Sequence, residues 1–242
     1  MPYSVISGTI GTQQISLFNL PDTVSRQVPG MLVEAVDNYW GGGEFIYVKA
    51  GGTIRPFGLV TLLQTFANNQ VVYTATEAAN TGNSGRPCGI AMVSATIGQF
   101  LWVCVRGVVP LNSNAAVAAD TAVGVGGAGQ GGTQTAGKQI LNARVVVAST
   151  QTVAKASCTA NSGSTRLLVP NDAGWFIGAY LSGTGIAAAT TVTDIDSSGT
   201  IVTLSVATTA AVAGTVTATY NNATIFYNVV HMSRPFVQGA IT

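Results

Sequence analysis

The sequence predicts an all-β protein. A β-barrel core spans residues 31–150 and 223–242, a small immunoglobulin-like β-sandwich is inserted at 151–222, and an extended N-terminal arm covers 1–30. Three observations predict this. Apolar and polar residues alternate in short segments, the period of two that turns one face of a strand to a core. Gly, Pro, Asn and Asp punctuate those segments as turns do. Composition shifts near Thr150 to Thr, Ser and Ala, then shifts back after Asn222, which marks an insertion. A chain of 242 residues buries roughly 70–75% of its extended surface without staples, as one large all-β unit or two smaller ones.

The elements follow in order. Gly8, Gly11, Pro21, Pro29 and Gly30 break the arm into short apolar patches, so it reads as extended and ends in a turn at 29–30. Residues 44–50, EFIYVKA, alternate as a strand, and Gly51-Gly52 turns the chain. Residues 53–63 return as a strand pair, or as one strand bent around Pro56 and Gly58. Only LVTLLQTFANN (59–69) is ambiguous between strand and helix. A polar loop at 76–87 precedes two strands, 89–95 and 100–107. On the second, Phe100, Trp102, Cys104 and Arg106 oppose Leu101, Val103 and Val105, so neither face is fully polar and the strand is central to the barrel or covered by a neighbouring subunit. The glycine-rich stretch 124–137 reads as a loop and 138–149 as a strand. Within the insert, 165–170, 190–195, 200–206 and 214–220 are short strands, two of them joined as a hairpin through 196–199. Residues 223–230 resume the aromatic texture of the core.

Nineteen residues (ten basic, nine acidic) and a single histidine make up the titratable inventory apart from tyrosine and cysteine. Charged residues are 8% of the chain, against roughly 25% in an ordinary soluble domain. Catalysis needs titratable groups, and an isolated soluble protein needs charge to stay apart from its neighbours. A chain this poor in charge is expected to cover much of its surface with other protein and not to be an enzyme. The net charge is +1 and the basic residues are scattered singly, which argues against nucleic acid and against an anionic membrane surface as partners. Mean hydropathy is +0.41, yet no apolar run reaches the roughly 18–20 residues of a membrane helix. The start, MPYSVISGTIGTQQ, has no secretory pattern. Cys88, Cys104 and Cys158, an odd set without close spacing, read as buried thiols of a protein assembled in a reducing cytoplasm.

Each motif has a structural reading beside its functional one. Gly124, Gly126 and Gly129 fit G-x-G-x-x-G, but no helix signal follows, so a turned loop is favoured over a dinucleotide site. Residues 194–199 echo the start of a calcium loop; Ser205 stands where a bidentate Glu would be needed, and a hairpin turn is favoured. His231 has no evident nucleophile beside it. Glu34, Asp37 and Glu44, near Tyr39 and Trp40, could serve a glycosidase, though a polar loop entering a strand explains them. The sequon at 222–224 carries no weight without a secretory signal. No catalytic residue, cofactor or metal is therefore assigned.

Residues 40–49, WGGGEFIYVK, resemble the "GxGEFIYLKG" segment that recurs in tailed-phage virion proteins. Residues 55–60, RPFGLV, echo the strand that follows it there. GIAMV (89–93) and GQFLWVCVRG (98–107) resemble the same family's "GvA…aGqyGWvqvrG" element. The resemblance covers about a third of the chain and is to capsid decoration, or cement, proteins of tailed bacteriophages. It implies a β-barrel, often a homotrimer, seated on the outer surface of a capsid in the virion, with the major capsid protein as partner and no cofactor. On this reading Tyr3, Ile6, Ile10, Ile15 and Phe18 of the arm contact the capsid or a neighbouring subunit, and the insert projects outward. The alternative is a head-fibre or spike-base module that binds host glycans through Trp175, Tyr180 and the Ser/Thr-rich insert.

Overall fold

The computed structural model describes residues 4–5, 18, 20–37, 39–67, 70–196, 198–222 and 224–239. It is all-β, with no helix among those residues. The strands are β1 (Ser4–Val5), β2 (Leu32–Asp37), β3 (Gly41–Ala50), β4 (Leu59–Ala67), β5 (Gln70–Glu77), β6 (Cys88–Ala91), β7 (Phe100–Ser113), β8 (Ala122–Gly127), β9 (Gln130–Thr133), β10 (Gln139–Val147), β11 (Thr152–Ala160), β12 (Arg166–Leu168), β13 (Tyr180–Ser182), β14 (Val192–Ile195), β15 (Ile201–Leu204), β16 (Val212–Thr219) and β17 (Phe226–Val237). One sheet has eleven strands, β1-β2-β3-β5-β4-β6-β7-β17-β10-β8-β9, and the other six, β13-β16-β11-β12-β15-β14.

Strand β7 organises the larger sheet. Its 14 residues span roughly 48 Å at 3.4 Å each, long enough to serve two sets of partners. The first half pairs with β3, from Lys49↔Phe100 to Glu44↔Arg106, and with β6. The second half pairs with β17, from Met232↔Gly107 to Phe226↔Ser113. The handover falls at Gly107, whose φ is +128°. A Cβ there would stand 2.9 Å from Gly43 Cα, so only glycine lets the strand bend while β3 stays close.

The pairings run in two circuits that share β7. One is β3-β5-β4-β6-β7, closed by β7 against β3. The other is β7-β17-β10-β8-β9, closed where Gly131 meets Ser113. The sequence predicts one barrel; the length of β7 produces two linked circuits instead. Leu101, Val103 and Val105 of β7 join Ile46, Val48, Val60 and Ala75 in one apolar cluster. Trp102 and Cys104, on the opposite face, join Phe45, Tyr47, Leu59 and Ile90 in a larger one. Apolar side chains on both faces are therefore the mark of a strand buried between two cores.

One open reading is settled, and one segment differs from the sequence reading. The ambiguous stretch at 59–69 contributes strand β4, paired without interruption to β5 from Val60↔Glu77 to Ala67↔Gln70. The glycine-rich stretch forms the hairpin β8–β9. Its glycines answer to crowding, since a Cβ on Gly131 would collide with the Leu111 side chain.

The insert also differs in detail. In place of two facing sheets, β11–β16 form one antiparallel sheet. Its end strands meet through Gly178 N to Val192 O (2.7 Å), Val192 N to Ala179 O (3.0 Å) and Leu181 N to Thr190 O (2.8 Å). Strands of three or four residues leave few ladder bonds each, and joining the ends satisfies the edges that a pair of small sheets would expose. The two sheets share a core. Phe57, from the first, stacks edge-on to Phe176 of the insert (5.7 Å) and to Tyr227 of β17 (6.2 Å), while Phe176 meets Tyr220 and Tyr227 at 4.9 and 5.2 Å.

Candidate functional site

Two of the three carboxylates named as glycosidase candidates hold structure. Asp37 Oδ1 accepts the N–H groups of Tyr39 (2.8 Å) and Trp40 (2.7 Å), an Asx turn that carries β2 into β3. Glu44 receives Arg106 at 2.7 Å and Arg234 at 3.3 Å. Glu34 lies opposite Glu44 across the β2–β3 ladder, where like charges repel; the two guanidiniums on Glu44 offset that. Asp37 is thus held in a turn and Glu44 in an ion-pair cluster with two arginines. Elsewhere Glu77 holds Arg55 through two side-chain bonds, 2.8 and 3.0 Å, and accepts its backbone N–H at 2.9 Å.

His231 is exposed on β17 and lines an open depression of about 640 Å³ with Asp120, Asn142, Arg144 and Ser233. Arg144 and Asp120 pair there at 2.7 Å, both well exposed. Gly124 and Gly126 lie in β8 and Gly129 (φ +65°) in the turn after it, so the glycine pattern sits on a hairpin rather than a strand–helix turn. Asp196 closes the β14–β15 hairpin: its carboxylate accepts Ser198 Oγ (2.5 Å), Ile201 N (2.9 Å) and Thr200 N (3.0 Å). The Ser198 hydroxyl, with those N–H groups, holds the Asp196 carboxyl below its ordinary range. No group of three or more His, Cys, Asp or Glu suited to a metal occurs among the described residues.

All three cysteines are free and buried, and burial pushes the Cys88 and Cys104 thiols up to about 12. Trp175, named for glycan stacking, is 1% exposed and donates its indole N–H to Val153 O at 3.0 Å. Tyr180 is half-buried, and Phe176 and Tyr220 are buried in the seam. Trp175, Phe176 and Tyr220 therefore build core, while Tyr180 stays half-open at the surface.

Of the five arm residues, Tyr3, Ile6, Ile10 and Ile15 lie outside the described residues. Phe18 is 6% exposed, its ring 4.7 Å from Phe45 and 5.3 Å from Trp102. It packs into the core of its own chain. Residues 20–30 also dock on the larger sheet. Asp22 exchanges two backbone bonds with Phe100 (2.8 and 2.9 Å), and Gly30 N bonds Tyr47 O at 2.7 Å. Tyr47 Oη donates to Asp22 Oδ2 at 2.7 Å beneath them.

The outward apolar surface lies elsewhere. Leu20, Val24 and Val28 face out from the docked arm, and Leu63, Phe66 and Val71 from the β4–β5 hairpin. The ambiguity of 59–69 between strand and helix hides the hairpin in the sequence. The available signal was the absence of Asp, Glu, Lys and Arg from residue 59 to residue 76. Comparison with protein-family models, curated proteins and solved structures finds no match for this chain.

Proposed function

We propose that this protein is a structural component of a virion, a decoration protein that binds the outer surface of a phage capsid and stabilises the shell through subunit interfaces. The observation that carries the reading is where the chain spends its side chains. Its carboxylates close turns and hold arginines, while large apolar groups face outward from strands without charge. Such a surface gains free energy by burial against protein, at roughly 25 cal/mol per Å² removed from water. The resemblance to cement proteins supports it further, because its two strongest segments, 40–49 and 98–107, are neighbours in the ladder of β3 against β7. They specify one structural unit rather than two scattered matches.

On this reading the partners are the major capsid protein and further copies of the chain, assembled as a homotrimer, and the protein is not an enzyme. The test is a particle assembled without it. Shells lacking the protein lose resistance to heat and chelator, and adding it back restores that resistance; equal resistance with and without it overturns the reading.

A further inference from the structure

The β4–β5 hairpin is built to be gripped. β4 pairs with β6 only through Leu59, Val60 and Thr61, and β5 pairs with β3 only through Thr74 and Ala75. Beyond those rungs, among the described residues, no strand pairs with the outer side of either one. Phe66 and Val71 are register partners near the tip, 75% and 54% exposed. Natural sheets blunt such edges with charge or proline, and this hairpin has neither between residues 59 and 76.

The matching cavity lies on the same chain. An apolar groove of about 330 Å³ is lined by Leu32, Ile46, Leu62, Val105 and Phe236, with Arg234 at its rim. Leu62 and Phe66 lie on one face of β4, four residues and roughly 14 Å apart along an extended strand. The Phe66 ring therefore cannot fold back into the groove of its own chain.

We propose that the Phe66–Val71 tip of one copy seats in the Leu32–Val105–Phe236 groove of the next, head to tail, closing a ring of identical chains. Three points select a second copy as the occupant. The groove needs an uncharged apolar knob, and this chain displays one. A net charge of +1 leaves little repulsion between copies. One knob in one groove is also a small contact beside the roughly 800 Å² per partner of a stable interface, and a closed ring gives every copy two such contacts. The ring's closure at three rests on the homotrimer reading above; the contact itself does not depend on capsid binding.

Sedimentation velocity on the purified full chain tests this without a capsid. Wild type sediments as a closed oligomer, and Phe66→Asp and Leu32→Arg each weaken association about tenfold or more while keeping the wild-type circular dichroism. Phe66→Thr is read in the same way should F66D fail to fold. A monomeric wild type, or an F66D or F66T variant that keeps the wild-type oligomer, overturns the proposal. Shell binding is scored separately on the wild type, so a monomeric wild type that still decorates shells overturns the ring and leaves the decoration reading standing.

Discussion

At the residue scale, buried polar groups fix the arm and the core chemistry. Tyr47 is fully buried, donates to Asp22 and accepts the Arg26 N–H at 3.2 Å. Burial and the Asp22 hydrogen bond push its phenol far above the ordinary range. Tyr47→Phe leaves the largely buried Asp22 carboxylate without its phenol donor, and urea unfolding is expected to show a loss of about 1–3 kcal/mol. The thiols make a second prediction. Burial raises Cys88 and Cys104 from the ordinary value near 9 to about 12, so the unfolded chain releases these protons first as pH rises. Their contribution is full below pH 9 and is lost progressively between about pH 9 and 12. Tyr227, raised by burial to about 12, adds to the same decline. The urea midpoint should fall from neutral pH to about pH 10, with the thiols unreactive to a thiol reagent until the chain unfolds. A flat pH profile, or a thiol that reacts in the native protein, contradicts the buried placement.

At the scale of elements, β3 and β7 were legible because their alternation carries large side chains on both faces. β8 and β9 were not legible, because Gly124, Gly126, Gly131 and Gly132 erase the alternation that marks a strand. They are strands for tertiary reasons, their backbones lying too close to Leu111 and Asn114 for side chains. The joined ends of the insert sheet were hidden for a related reason, since backbone bonds around Gly178 and Val192 leave no trace in side-chain pattern. Gly129 tests this scale. It takes a positive φ, accepts Leu59 N at 3.0 Å, donates to Ala78 O at 2.8 Å, and a Cβ there would collide with Glu77. Gly129→Ala should therefore cost about 1–3 kcal/mol by displacing the carboxylate that holds Arg55, whereas Gly98→Ala, with open space around its Cβ, should cost less. Equal losses at the two positions contradict the crowding argument.

At the scale of the whole molecule, the insert is not a loose appendage. Phe57, Phe176, Tyr220 and Tyr227 interlock edge to face across the two sheets, each pair worth about 0.5–1.5 kcal/mol beyond its buried area. Phe176→Ala should lower stability by about 3–5 kcal/mol while intrinsic fluorescence and circular dichroism still report one coincident transition. Two separated transitions in the wild type would mean that the sheets fold independently. The composition shift at 150 and 222 is visible in the sequence, but the seam is not, because its aromatics are single residues far apart in the chain. Of the candidate surface, the lack of charge over 59–76 is legible in the sequence, whereas the hairpin that displays Phe66 emerges only from its pairing. The claim that joins these scales is that the outward apolar surface works by covering a shell. Co-sedimentation of the purified protein with preformed, undecorated capsids, followed by calorimetry of the same particles, tests it most directly. Saturable binding with a raised temperature of shell disruption is the expected result; protein left in the supernatant, or bound protein that leaves the disruption temperature unchanged, would contradict it.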